Sequence, residues 1–107
     1  MQFLVIGRLI DAPVAPPQQE IAMLKATFEQ FANETNPKIK AVYPFADQRA
    51  TAFVTEVDSA DELGEVIGSL PASRLSVFEA HPITSPQSVI EGLSQWEQAM
   101  QEEAGQG

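Results

Sequence analysis

Between Gln2 and Ile10 apolar residues fill both alternating sets of positions, Phe3, Val5 and Leu9 on one side and Leu4, Ile6 and Ile10 on the other. A strand written this way is one that needs cover on both faces. Arg8 is the one charge in the run, and Gly7 beside it marks a place where another piece of chain can come close. Asp11, Ala12 and Pro13 break the strand. Pro16 and Pro17 then suit the first turn of a helix, where a missing N–H costs little. From Pro17 to Glu34 the residues Ile21, Leu24, Phe28 and Phe31 recur at intervals of three and four, with Gln18, Gln19, Glu20, Glu29, Gln30 and Glu34 on the other side. That is an amphipathic helix, ended by Asn36 and Pro37. Phe28 and Phe31 invite comparison with a ligand clamp, but their spacing is that of core packing.

Ile39, Ala41, Tyr43 and Phe45 alternate with Lys40, Val42 and Pro44, which predicts a second strand, with Pro44 marking an edge or a bulge. Asp47, Gln48 and Arg49 form a polar connection to a third strand, Thr51 to Val57, so the two make a hairpin. Ser59 followed by Glu62 is a capping box: the hydroxyl accepts from the Glu62 N–H while the carboxylate reaches back to the Ser59 N–H. Asp58, Asp61 and Glu65 add negative charge where the helix dipole is positive. Leu63, Val66, Ile67 and Leu70 form the buried stripe of this second helix, and Pro71 stops it. After a loop at Ala72 to Arg74, Leu75 to Ile83 reads as a fourth strand, with Val77, Glu79 and His81 on one face and Phe78 and Ala80 on the other.

The order strand, helix, strand, strand, helix, strand predicts an α+β fold of the ferredoxin-like βαββαβ kind, with a four-stranded antiparallel sheet whose helices lie on one face. A third helix follows. Ser85 and Pro86 cap it, and Val89, Ile90, Leu93, Trp96 and Met100 recur at helical spacing. Residues 1–84 are thus expected to form the ferredoxin-like body. Residues 85–107 form an acidic amphipathic helix and tail within the same domain, with Gly105 to Gly107 frayed. The apolar side of this helix must be buried somewhere, on the chain's own sheet, on another subunit or on a different protein.

Composition narrows the function classes. The chain has 107 residues, 44% of them hydrophobic, enough for one modest core. Fifteen carboxylates face six cations for a formal net charge of −9. Nucleic acid and anionic membrane surfaces are excluded as partners, because neither finds a basic stripe. No run approaches the apolar length of a membrane span, and Met1 to Asp11 lack the pattern of a secretory leader, so a cytoplasmic location is the expectation. There is no cysteine and a single histidine, so neither a thiolate site nor a usual zinc site is expected. Asp58, Asp61 and Glu62 are read as helix-start carboxylates and not as metal ligands. No cofactor is expected.

Val57-Asp58-Ser59 followed by Glu62-Leu63, then Leu70-Pro71 and, without a gap, Glu79 and Pro82, resembles the muconolactone isomerase-like family of the dimeric α+β barrel superfamily over about a third of the chain. The resemblance implies a ferredoxin-like subunit whose uncovered sheet face packs on that of a second copy to close a barrel, in some members within a larger ring. It also implies a pocket between sheet and helices or inside the barrel, taking small carboxylated or aromatic metabolites. The chain departs from that pattern in two places. Leu4 and Ile6 stand where such isomerases are more basic, and Thr84, Ser85 and Pro86 stand where they carry Arg-His-Pro.

The residues able to carry chemistry are Arg8, Tyr43, Glu79 and His81. In a ferredoxin-like sheet the fourth strand lies beside the first, which brings Arg8 near Glu79, and His81 shares the face of Glu79. Proton transfer next to a carbonyl would use Glu79 or His81 as the base. Arg8 would hold an anionic substrate and Tyr43 would donate a hydrogen bond. The other reading of the same residues is an Arg8–Glu79 ion pair in a dimer interface. Two functions follow as expectations: a homodimeric barrel that binds a small organic acid or aromatic metabolite, with isomerase-like proton transfer, or a non-catalytic module in which the third helix recognises another protein.

Overall fold

The computed structural model describes residues 1–11 and 15–106, with the side chain of Gln106 left out. The expected strand break at Ala12 and Pro13 therefore lies outside the described residues, as does Gly107. The elements are β1 (Gln2–Leu9), α1 (Pro17–Ala32), β2 (Ile39–Pro44), β3 (Ala50–Glu56), α2 (Ala60–Gly68), β4 (Ser76–Ile83) and α3 (Pro86–Gln106), with one turn of 3-10 helix at Ser73–Leu75 before β4. The four strands form one antiparallel sheet in the order β2-β3-β1-β4. This is the ferredoxin-like arrangement that the element order predicts. Both β2 and β4 are edges, as Pro44 foretells for β2.

Cross-strand partners share a face, so the register assigns every strand side chain. Phe3, Val5 and Gly7 of β1 lie on the same face as Thr55, Phe53 and Thr51 of β3 and as Pro82, Ala80 and Phe78 of β4. Here the core forms. Val5, Phe53 and Leu70 are buried, with Phe31 of α1 and Leu63 and Ile67 of α2 packed against them, so both helices cover this one face. The opposite face carries Leu4, Ile6, Arg8, Ala52, Val54, Tyr43, Val77, Glu79, His81 and Ile83, and no helix lies over it. Tyr43 and Val77 remain 59% and 63% exposed there, which makes the second cover demanded by β1 a requirement that this chain does not meet.

Three local readings are corrected by the structure. A bulge between Ile39 and Ala41 breaks the alternation of β2. Ile39 packs on the core together with Val42, while Ala41 and Tyr43 turn to the uncovered face, because the extra residue Lys40 shifts the period by one. Helix α1 ends at Ala32, two residues before Glu34. Glu34 adopts φ 51°, and the Glu34 and Thr35 N–H groups donate to the carbonyls of Phe31 and Gln30. This is a left-handed helix stop with glutamate where glycine is the easier residue. At α2 the Glu62 N–H donates to Ser59 Oγ at 3.1 Å as the capping box requires, but Glu62 Oε2 accepts from the Asp58 N–H, one residue earlier than the box predicts.

Glu62 takes this position because its other oxygen is held from β2's side, by Lys38 Nζ at 2.7 Å. The hydrogen bond from Lys38, then that from the Asp58 N–H, hold the Glu62 carboxyl below its ordinary value, and the same contact holds Lys38 above its own. A second tie joins α1 to the chain after α2. The buried Thr27 hydroxyl donates to the Met23 carbonyl at 2.9 Å and accepts from the Ala72 N–H at 2.8 Å.

Helix α3 differs from the rest. Its side chains are exposed from Pro86 through Gly105. At about 1.5 Å per residue it adds roughly 30 Å of rod. The molecule is accordingly 69 Å long and under 30 Å across in the other two directions. The helix extends through Gly105 to Gln106, where fraying was expected.

Two stability predictions follow from these ties. Because the Glu62 carboxyl is depressed in the folded state, its contribution is present in full above the ordinary value of 4.5 and is lost as pH falls through the lowered one. Urea melts of Glu62→Gln and the parent should therefore differ at pH 7, with the variant weaker, and converge as pH falls below the lowered value. Thr27→Val leaves the Ala72 N–H buried without an acceptor, and should lose about 1–3 kcal/mol at any pH.

Candidate functional site

The core face of the sheet is not filled to its end. Between α1 and the ends of β1, β3 and β4 lies a cavity of about 280 Å³ walled by Phe28, Phe31, Phe45, Phe53 and Phe78. Its polar groups are Thr27, Gln48, Arg49, Thr51 and Ser76, and no carboxylate or imidazole lines it among the described residues. Phe28 stacks edge-on against Phe31 with ring centres 5.7 Å apart, and Phe31 meets Phe53 at 5.7 Å. Of the two rings at the spacing of a core stripe, Phe31 packs on the core and also walls the cavity, while Phe28, 38% exposed, belongs to the cavity wall alone. A second hollow of about 360 Å³ lies along the edge of β2, sharing Phe28 and Phe31 with the first and with Glu34 and Lys40 among its lining residues.

Gly7 sets the depth of the cavity. The ring of Phe78, its partner on β4, lies against it, so that a Cβ added at Gly7 would stand 2.9 Å from Phe78 Cε1. The close approach expected at Gly7 is thus made by the neighbouring strand.

At this end of the sheet sits a charge pattern that no single stretch of sequence shows. β1 runs antiparallel to both β3 and β4, so the C-terminal end of β1 and the N-terminal ends of β3 and β4 meet at one end of the sheet. Arg8, Arg49 and Arg74 occupy those three ends, and they are all the arginines the chain has. Arg49 lines the cavity, and Arg8 reaches it indirectly by donating from Nη1 to Gln48 Oε1 at 2.6 Å. Among the described residues no ion pair uses an arginine. Asp11, Glu20 and Asp47 also lie at this end in sequence and moderate its charge. The connection Asp47 to Arg49 reads in sequence only as a polar turn. The signal that could have singled out Arg49 was the topology, which places all three arginines together.

Arg8, Tyr43, Glu79 and His81 all project from the uncovered face. Arg8 lies opposite Val77, Ile6 opposite Glu79 and Leu4 opposite His81, so the β1–β4 neighbourhood foreseen for Arg8 and Glu79 is present. The two are not paired with each other. Arg8 is bonded to Gln48, while Glu79 Oε2 stands 3.3 Å from His81 Nε2, each of those two side chains more than half exposed. Tyr43, on β2, is separated from β4 by β3 and β1, roughly 14 Å at about 4.8 Å per strand. None of the four lines the cavity under α1.

No family model matches the chain, and no curated protein matches it by sequence. Solved structures do match. Muconolactone isomerase superposes with a TM-score of 0.66 at 17% identity, over 80% of this chain and 92% of that one. The chain has a muconolactone isomerase-like fold. The 5-chloro-2-hydroxyhydroquinone dehydrochlorinase of Burkholderia phenoliruptrix, solved in complex with 2,5-dihydroxybenzoquinone, superposes with a TM-score of 0.57 at 15% identity, over 82% of this chain and 98% of that one. At such identities the likeness is one of fold. Among the described residues no helix is long and apolar enough to cross a membrane, and no cluster of three or more His, Asp or Glu side chains is placed to hold a metal ion.

Gly7→Ala tests the floor of this cavity. Its methyl group must push the Phe78 ring off β1, and urea denaturation should show a loss of about 1–3 kcal/mol, the usual cost of overpacking.

Proposed function

We propose that the protein is a homodimer that binds a small organic acid with an aromatic or other cyclic body in the cavity under α1, with the acid's carboxylate held at the arginine end of the sheet. The observation that carries this reading is the joining of five phenylalanine rings to Arg49 in one cavity of about 280 Å³. That volume stands at the lower limit of ligand pockets, roughly 300 Å³, and suits a single ring. Arg49 supplies the planar, two-pronged donor that a carboxylate prefers, and Gln48 is oriented for the same ligand by its bond from Arg8. The names of the two structural neighbours, an isomerase of muconolactone and a dehydrochlorinase crystallised with a dihydroxybenzoquinone, point to ligands of similar size and oxygen content.

The dimer forms in this reading through the uncovered sheet face, where Leu4, Ile6, Tyr43, Val54, Val77 and Ile83 need the cover that α1 and α2 give the other side. Two such faces in contact make a barrel. Glu79 and His81 then point between the sheets, and their 3.3 Å contact favours a second, finer reading, in which this pair transfers a proton in the barrel with Arg8 and Tyr43 as binding groups.

Calorimetric titration with benzoate as the probe distinguishes these readings from a purely structural protein. Arg49→Ala should weaken binding at least tenfold while the mass in solution stays that of a dimer; unchanged affinity removes the arginine-end assignment. Where a turnover is measured, His81→Ala and Glu79→Ala should each lower kcat, and unchanged rates in both remove the proton-transfer reading and leave the binding one standing.

A further inference from the structure

The apolar stripe of α3 is still unaccounted for. Val89, Leu93, Trp96 and Met100 follow one another at intervals of four, three and four residues. This is the seam spacing of a two-helix coil, averaging about 3.5 residues. They are 49%, 54%, 66% and 58% exposed, so no other described part of the chain covers them. Nor does α3 have much else to hold it. No basic residue lies between Pro86 and Gly107, so no Glu–Lys pair supports the helix along its length, and Gly92 interrupts it.

We infer that the occupant of this seam is α3 of a second copy, running antiparallel, with Leu93 opposite the second copy's Trp96 and Val89 opposite its Met100. Charge placement argues for this occupant and this direction. A basic partner would be met by acids along both borders of the seam, yet of the bordering residues Ile90, Gly92, Glu97 and Ala99 only Glu97 is charged, Glu91 and Glu102 lie away from it, and Glu103 falls on the seam only at its far end, three residues past Met100. Such a seam tolerates a copy of itself. Its direction follows from the end of the helix. Glu102 and Glu103 sit in the last turns of α3, at the negative end of its own dipole, where no base offsets them. A parallel pair would set Glu103 against Glu103 and gather four carboxylates at two negative helix ends. The antiparallel register instead brings Glu102 and Glu103 to the second copy's Gln87 and Pro86, at the positive start of its helix. It also sets Trp96 beside the second copy's Gly92, where a side chain meets open space within 4 Å. The parallel pair would set Trp96 against Trp96.

This pairing does not rest on the cavity or on the sheet-face dimer, and its test reads α3 alone. The chain contains no cysteine, so Gln87→Cys, Ser94→Cys and Gln101→Cys in the full chain each carry one spin label, all three on the same outer stripe one heptad apart. Distances between labels on two copies, measured by pulsed electron resonance, should be shortest at position 94. At positions 87 and 101 they should be longer, reflecting an axial offset of about 20 Å at about 1.5 Å per residue. Adding Leu93→Glu, at an exposed position that the body of the protein does not use, should remove all three distances. Three equal short distances, no defined distance at position 94, or distances that survive Leu93→Glu would each overturn the inference.

Discussion

A sheet whose first strand is apolar on both sides must be covered on both sides, and this chain has helices for one of them. Val5 and Phe53 are sealed beneath α1 and α2. Leu4 and Ile6, their neighbours in sequence, project into a face that holds Tyr43 and Val77 largely exposed. Because successive strand residues point to opposite sides, no shift of register relieves this; it only exchanges one apolar set for the other. One face of the sheet is well packed and the other is not. The homodimer proposed above would meet the constraint through that second face.

The same geometry separates two regions of different chemistry. The covered face carries a cavity lined by rings and by groups that donate to anions or exchange hydrogen bonds neutrally. The uncovered face carries Glu79 and His81. Arg8 links them, since its backbone belongs to the uncovered side of β1 while its guanidinium reaches Gln48 at the cavity rim. In a chain of net charge −9, all three arginines gather at one sheet end, where Asp11, Glu20 and Asp47 partly offset them. An anion approaching the protein is repelled by most of its surface, and this end offers it the guanidinium groups.

Much of the fold could be read from short-range patterns. The three-and-four spacing of Leu24, Phe28 and Phe31, the Ser59 cap and Pro71 all placed helices within a few residues of where they stand, since each acts over one or two turns. The errors fell where a contact from far along the chain intervened. Lys38 draws Glu62 away from the reciprocal capping position. The extra residue at Lys40 turns Ile39 inward, away from the face of Ala41, through pairing with β3. Glu34, with no glycine to announce a helix stop, ends α1 in a left-handed conformation. For the site, Arg8, Tyr43, Glu79 and His81 carry chemistry that is legible in the sequence, and they share one face. Arg49, Gln48 and Thr27 passed as turn or helix residues, because nothing local distinguishes them.

By itself, then, the sequence determined the kind and order of the elements, the edge position of β2, the two apolar faces of β1 and the seam of α3, all of which depend on residues close together in the chain. The tertiary structure alone decided which face the helices cover, that the core stops short of filling its end, and that three arginines distant in sequence share the end of the sheet where Arg49 lines the resulting cavity. Those outcomes depend on strand order and register, which are settled by the summed packing of segments tens of residues apart. No single stretch of the chain contains that information.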